Sequence, residues 1–288
     1  MKKADRNALI ALPILIVIAV LFALAGSQGG GTFAGFPLFA LCVALAFLIQ
    51  WLVFIHAWTR QTERYFDLTG SLTYISVISL AFFLGPRPDA RSVLLWVMVI
   101  VWAARLGTYL YTRIGKAGKD ARFDDIKPSF ARFLNVWTIQ GMWVSFTVGA
   151  ALAGITTGAR KDLDLFAILG AALWAVGFAI EVAADLQKSR FNADPANRGR
   201  FIQTGLWARS RHPNYFGEIL LWVGVAVAAF PVLHGWQLVT LISPFFVALL
   251  LIRVSGIPLL ERRADAKWGG QADYEEYKKR TPVLIPKL

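Results

Sequence analysis

Eight apolar runs alternate with short polar stretches along the chain, at about 8–26, 36–57, 68–84, 92–111, 133–156, 164–184, 214–230 and 237–253. Each is close to the roughly 20 residues that an α-helix needs to cross a bilayer. Within a run the apolar positions are continuous rather than alternating, and open sheet edges cannot face lipid, so the runs predict helices. The expected fold is all-α, a polytopic integral membrane bundle of seven or eight transmembrane helices. The short third and seventh runs leave that count open. With eight spans both termini lie on one side of the membrane.

Charge separates the two sides. Of 30 Lys and Arg residues, 25 fall in 1–7, 58–67, 112–132, 186–213 and 253–288, the alternate connections of an eight-span chain. The other connections hold Arg87, Arg91, Arg160 and Lys161, and Arg105 lies inside a span. The excess of positive charge places the basic loops and both termini in the cytoplasm, in a bacterial inner membrane. The net charge of +12 follows from that bias and suits anionic lipid as a neighbour. Scattered over loops, these cations do not make a nucleic-acid surface.

Composition agrees with this assignment. The chain is 57% hydrophobic, has 11 Trp in 288 residues and a mean hydropathy of +0.54, which excludes a soluble domain. Met1–Gly30 has the layout of a signal peptide and is expected to act as a signal anchor or true span. The single cysteine, Cys42, permits no internal disulfide and no thiol-rich metal centre; no metal site is expected. By residue chemistry the chain divides at about residue 60. Residues 1–60 are scaffold spans, and 61–288 hold the chemistry, with nucleotide-type residues gathered in 180–288.

Four constellations carry the candidate chemistry. Asp67 opens the third span. Trp102, Arg105 and Tyr109 follow at spacings of three and four in the fourth, hence on one helix face. Antiparallel neighbours bring Asp67 and Tyr109 to a similar depth, where a carboxyl and a phenol can act as an acid pair. Equally, Asp67 can cap its helix and neutralise Arg105, and Tyr109 can belong to an aromatic belt. The third group, Glu181, Asp185, Lys188 and Arg190, leaves the sixth span. Its two carboxylates oppose the helix macrodipole, which calls for a partner such as a ribose or an arginine. The fourth is GLWARSRHPNYFGE, 205–218, with Arg209, Arg211, His212, Asn214, Tyr215 and Glu218. Pro213 suits the first turn of a helix whose free amides make an anion site. Arg253, Glu261, Arg262 and Arg263 follow, then a turn at Gly269–Gly270 before Tyr274 and Tyr277. Cations, hydrogen-bonding groups and aromatic rings together suit a nucleotide with several phosphates.

DLQKSRF, GLWARSRHPNYFGEILLWVG, ERRADAKWG and YEEYKKRTPVLIP resemble the C-terminal half of the membrane steroid 5α-reductase family. They also resemble the sterol Δ14-reductases and the isoprenylcysteine carboxyl methyltransferases. The resemblance covers about 180–288. It implies an NADPH-dependent reductase whose cofactor cavity faces the cytoplasm and whose steroid-like substrate enters from the bilayer. Asp185, Lys188, Asn214 and Glu218 match positions that contact the nicotinamide nucleotide. Arg211, His212 and Tyr215 match the sterol-reductase form, Arg253 a phosphate-contacting arginine and Tyr277 a tail tyrosine. Arg190 and Arg263 add cations beside them. The chain departs from the pattern at Glu181, where the family has Asn, and at Ile257 and Glu261, where it has His and Tyr. The family's proton-donating Glu and Tyr align loosely with Asp67 and Trp102. Trp is no phenolic acid, so Tyr109 is the expected substitute, with Arg105 in support.

The reaction implied is reduction of a lipophilic enone, foremost a 3-oxo-Δ4 steroid. The competing expectation is a methyltransferase using S-adenosylmethionine, since RHPNYFGE with a Glu-rich tail suits that group too. The DLQKSRF segment and the surplus of cations favour the reductase. A non-catalytic lipid-binding or scaffold protein is a third reading, and it leaves the polar cluster without a purpose.

Overall fold

A computed structural model describes residues 3–86, 88–117 and 123–287; Arg87 and the basic stretch 118–122 lie outside the described residues. Among the described residues, eight helices are long and apolar enough to cross a membrane. They are α1 (Lys3–Gly26), α2 (Leu38–Arg60), α3 (Phe66–Leu84), α4 (Ala90–Ala117), α5 (Phe130–Thr156), α6 (Leu165–Ala193), α7 (Pro213–Ala229) and a composite eighth span within Gly235–Trp268. The chain is a polytopic helical membrane protein, with eight candidate spans among the described residues. A two-residue antiparallel pair, β1 (Thr32–Phe33) with β2 (Phe36–Pro37), closes the α1–α2 loop.

The boundaries shift where hydropathy is a poor guide. Helix α6 continues to Ala193, nine residues beyond the apolar run, because EVAADLQKSRF keeps helical spacing after its hydrophobicity ends. The eighth span is not one regular helix. A 3₁₀ stretch Gly235–Ile242 leads into α8 (Ser243–Leu249), a five-residue π turn Leu250–Val254, and then α9 (Ile257–Trp268). Pro258 sits in the first turn of α9, where no amide hydrogen is needed. After a turn at Gly269–Gly270, α10 (Ala272–Arg280) completes the helices.

The chain forms two compact units, Met1–Ala167 with Ala226–Ser243, and Ile168–Val225 with Pro244–Leu288. In the first, α5 is the core, with 83% of its most apolar window buried against 22% for α1. Its small positions admit neighbours: Gly149 faces Phe22 of α1, Gly141 faces Phe47 of α2, and Gly154 faces Leu95 of α4. Phe22 stacks on Phe146 at 4.1 Å. Cys42 is fully buried in α2, as expected of a core residue.

Arg91, expected to be an ordinary loop cation, is instead 1% exposed in the first turn of α4. It donates to Ala228 O at 2.6 Å, Asp162 O at 2.8 Å and Asp164 Oδ1 at 2.9 Å. The guanidinium holds the Asp164 carboxyl well below the usual carboxylate range.

In the second unit, α6 and α7 meet backbone to backbone. A Cβ on Gly217 would lie 2.6 Å from Gly177 O and 2.7 Å from Glu181 N. One on Gly224 would lie 2.5 Å from Gly170 O. Such small-residue contacts are how apolar helices associate where burial from water drives nothing. The tail lies along the segment before α7. Arg211 N donates to Pro282 O at 2.9 Å, Ser210 Oγ to Leu284 O at 2.7 Å and Lys287 N to Arg209 O at 3.0 Å.

Candidate functional site

The second unit contains a cavity of about 280 Å³. Lys188 reaches it from α6, Arg200, Phe201 and Trp207 from the loop after α6, Arg211 and His212 from the segment before α7, Glu261, Arg263, Lys267 and Trp268 from α9, and Tyr274 and Tyr277 from α10. Lys188, Arg200, Arg211, Arg263 and Lys267 oppose the single lining carboxylate, Glu261, so the cavity carries excess positive charge. It is small for a whole dinucleotide and the right order for one nucleotide half.

Helical spacing explains the α9 wall. Leu260, Glu261, Ala264, Lys267 and Trp268 recur at intervals of three and four and face one way. Trp268 Nε1 donates to Gly199 O at 2.6 Å, and Trp207 Nε1 to Ala184 O at 3.0 Å, fixing both indoles. Cations lie over these rings, Lys188 at 4.4 Å from the Trp207 centroid and Lys267 at 4.6 Å from that of Trp268. Tyr277 donates to Trp207 O at 2.8 Å, and burial pushes its phenol up to about 12. It stays protonated and acts as a hydrogen-bond donor, not as an acid.

Glu261 binds two neighbours. One carboxylate oxygen takes Arg211 Nη1 at 2.5 Å and the other pairs with His212 Nε2 at 2.7 Å. His212 is 4% exposed and its ring lies parallel to Tyr215 at 5.7 Å. Burial lowers its pKa, and the Glu261 hydrogen bond offsets part of that effect. On His212 and its neighbours Arg211 and Asn214, three buried polar atoms have no hydrogen-bond partner among the described residues: His212 Nδ1, Arg211 Nε and Asn214 Oδ1. Asn214, in the first turn of α7, donates through Nδ2 to Asp185 Oδ1 at 3.3 Å.

Of the residues singled out in the sequence, the cavity brings together Lys188, Arg211, His212, Glu261, Arg263, Tyr274 and Tyr277. Asp185 and Asn214 pair beside the segment that bears His212. Tyr215 contributes by stacking on His212, while Glu218, half-buried one turn after Asn214, does not line the cavity. Arg190 and Arg253 are exposed and do not line it either, one at the end of α6 and the other in the π turn. Sequence reasoning passed over Arg200, Phe201, Trp207, Lys267 and Trp268. The 267–268 pair was within reach, since it continues the Glu261–Ala264 face at helical spacing.

The first unit holds the other candidates. Helices α3 and α4 run antiparallel, and their register follows from Ser71 Oγ donating to Ala103 O, Tyr74 packing edge-on against Trp102 at 5.1 Å, and Trp96 Nε1 reaching Ser79 Oγ at 3.3 Å. One turn back along α3 from Ser71, that register sets Asp67 level with Tyr109. Asp67 lies in the first turn of α3 and is not its N-cap, which is Tyr65. Arg105 stands 5.3 Å from the Tyr109 centroid, and Trp102 is 2% exposed. Tyr74, a phenol missed in the sequence, follows Asp67 by seven residues and so shares its face of α3. Gln50 and Gln140 were missed as well. Fully buried Gln50 donates to Thr73 Oγ1 at 2.8 Å, and Gln140 donates to Phe66 O at 2.9 Å.

A family described as a protein of unknown function, DUF1295, matches residues 51–281. The chain belongs to this family. It is 29% identical over 168 residues to a Delta(14)-sterol reductase of Methylotuvimicrobium alcaliphilum, a match covering 51% of this chain and 36% of that protein. It is 25% identical over 199 residues to an uncharacterised protein of Schizosaccharomyces pombe, covering 59% of this chain and 58% of the other. The chain thus spans less than two thirds of the length of the curated relatives it matches. No solved structure matches it.

Proposed function

We propose that the protein is a membrane-embedded reductase of a lipophilic enone that uses NADPH, with a 3-oxo-Δ4 steroid as the foremost substrate. The observation that carries this reading is the cavity of the second unit, where Lys188, Arg200, Arg211, Arg263 and Lys267 meet Phe201, Trp207 and Trp268 around buried polar atoms that lack partners. Excess cations suit a ligand with several phosphates, indole and phenyl faces suit a base, and unmatched acceptors suit hydroxyl or amide donors. The residues present therefore fit one nucleotide half of the cofactor, with Arg200, Arg263 and Lys267 to hold its phosphates and Trp207 and Trp268 to face its base. Similarity to a sterol reductase favours the same chemistry.

NADPH, when bound, supplies the hydride, which goes to the alkene carbon beta to the carbonyl. Negative charge then develops on the carbonyl oxygen, so a donor placed there in advance lowers the barrier. For that role the candidate is Asp67 of the first unit, with Tyr109 and Arg105 of the neighbouring helix in support. The proton passes to the oxygen, and the resulting enol collapses to the saturated ketone with a proton on the alpha carbon. The positive charge of the loops supports a cavity that faces the cytoplasm, in a bacterial inner membrane.

The test is ligand-induced stabilisation of the purified, detergent-solubilised protein by NADPH, NADH and S-adenosylmethionine. A ligand that binds only the folded state at 100 times its Kd stabilises by about 2.7 kcal/mol. NADPH is expected to raise the melting midpoint, and Arg263→Ala is expected to reduce that rise at equal concentration. Consumption of NADPH with a 3-oxo-Δ4 steroid then identifies the substrate class. A rise with S-adenosylmethionine alone sinks the reductase and selects methyl transfer.

A further inference from the structure

Residues 281–287 form an extended segment that neither the spans nor the cavity accounts for. It runs back along 209–211: Arg211 N donates to Pro282 O at 2.9 Å, Ser210 Oγ to Leu284 O at 2.7 Å and Lys287 N to Arg209 O at 3.0 Å. Burial alternates along it. Pro282, Leu284 and Pro286 are half-buried, while Val283, Ile285 and Lys287 are exposed, the period of an extended chain with one face on the protein. Val283 is 40% exposed and Ile285 71%. One apolar residue at a surface needs no explanation. Two on the same outward face, followed by a lysine, need a partner.

Depth decides which partner. The segment that carries the tail enters α7 at Pro213, two residues after Arg211, about 7 Å along an extended chain. On its other side Trp207 Nε1 donates to Ala184 O at 3.0 Å, and the apolar run of α6 ends at Ala184. Two spans therefore pass from apolar to polar sequence at the level of this segment. The headgroup zone beside the hydrocarbon core is about 5–8 Å thick on each side, which brings the outer face of the tail within reach of lipid headgroups. Leu186, just past the end of that run, is 49% exposed.

Charge then selects among headgroups. Arg209, Lys279, Arg280 and Lys287 are exposed in or beside the tail. Lys287 Nζ donates to Arg280 O at 3.0 Å, which holds the two residues together. Against them stands exposed Glu276, one turn before Arg280 on α10. The balance is cationic.

We propose that 281–287 is a strap for anionic phospholipid. Val283 and Ile285 enter the headgroup region of the leaflet on the basic side of the membrane, and Arg209, Arg280 and Lys287 hold lipid phosphates. Apolar burial and attraction to anionic lipid add in such an interfacial segment. A zwitterionic lipid cancels its phosphate with its own ammonium and engages the apolar pair alone. The inference is independent of what the cavity binds.

The experiment places a fluorophore on Ile285→Cys, in a Cys42→Ala background that removes the buried native thiol. The full-length protein is reconstituted in nanodiscs of phosphatidylcholine, or of phosphatidylcholine mixed with phosphatidylglycerol. Lipid bearing a nitroxide near its headgroup quenches a label in the membrane, and acrylamide quenches one in water. Expected is quenching by the nitroxide lipid in both nanodiscs, stronger with phosphatidylglycerol. That increment is expected to be lost at high salt and in the double variant Arg209→Ala, Lys287→Ala. A label quenched by acrylamide alone overturns the strap. Equal nitroxide quenching with and without phosphatidylglycerol overturns the role of the cations. Native mass spectrometry of the unlabelled protein keeps the test open if the cysteine variant does not fold: the natural sequence is expected to retain more phosphatidylglycerol than the double variant, and equal retention overturns the proposal.

Discussion

At the scale of the residue, the first unit turns on Arg91. A guanidinium 1% exposed at the start of a membrane helix is sustainable because two carbonyls and a carboxylate receive it. Removing it leaves the carbonyls of Ala228 and Asp162 without that donor, while Asp164 keeps Lys161 at 3.0 Å. Arg91→Ala is expected to destabilise the protein by about 1–3 kcal/mol, seen as a lower melting midpoint in detergent. Arg91→Lys is expected to recover only part of the loss, since an ammonium lacks the planar fork that serves several acceptors at once. The pH dependence has a definite sign. Because the Asp164 pKa is lowered on folding, its contribution is complete above the unfolded carboxylate value of about 3.9 and disappears only in stronger acid. The clamp should therefore hold throughout mild acid, a range in which Arg91→Ala is already impaired.

At the scale of the element, the spans were legible in the sequence because bilayer thickness dictates their length and continuity. The eighth was only partly so. A hydropathy window averages over the π turn at Leu250–Val254 and cannot register a break that swaps one hydrogen-bond ladder for another. The cavity was legible on its α9 and α10 sides, where Arg263 and Tyr277 sit in motifs. Its Arg200, Phe201 and Trp207 side comes from a loop that only the folded chain brings there. Nor does sequence say that Arg91 is buried while Arg253 is exposed, since both are single cations beside apolar runs. The α6–α7 seam is the element most exposed to a small change. The space for a Cβ on Gly217 is occupied by the backbone of Gly177 and Glu181, which no rotamer can vacate. Gly217→Ala is expected to lower stability by about 1–3 kcal/mol through overpacking; denaturant titration in detergent measures it.

At the scale of the whole molecule, the last residues complete the site. The backbone of Pro282, Leu284 and Lys287 bonds to Arg209–Arg211, the segment that delivers Arg211 and His212 to the cavity. A chain ending at Thr281 is expected to stay folded in its membrane spans and, on the proposed function, to bind NADPH about tenfold more weakly, the equivalent of roughly 1.4 kcal/mol. Undiminished affinity would show that the segment holds its conformation unaided.

The guanidinium of Arg91 also constrains how the protein is made. Its acceptors Asp162 and Asp164 are synthesised some seventy residues after it, and Ala228 follows 137 residues after it. A nascent chain that has just delivered α4 to the bilayer therefore carries a cation with none of its final partners. The last contact of the clamp, to Ala228, therefore forms only once the end of α7 has been synthesised.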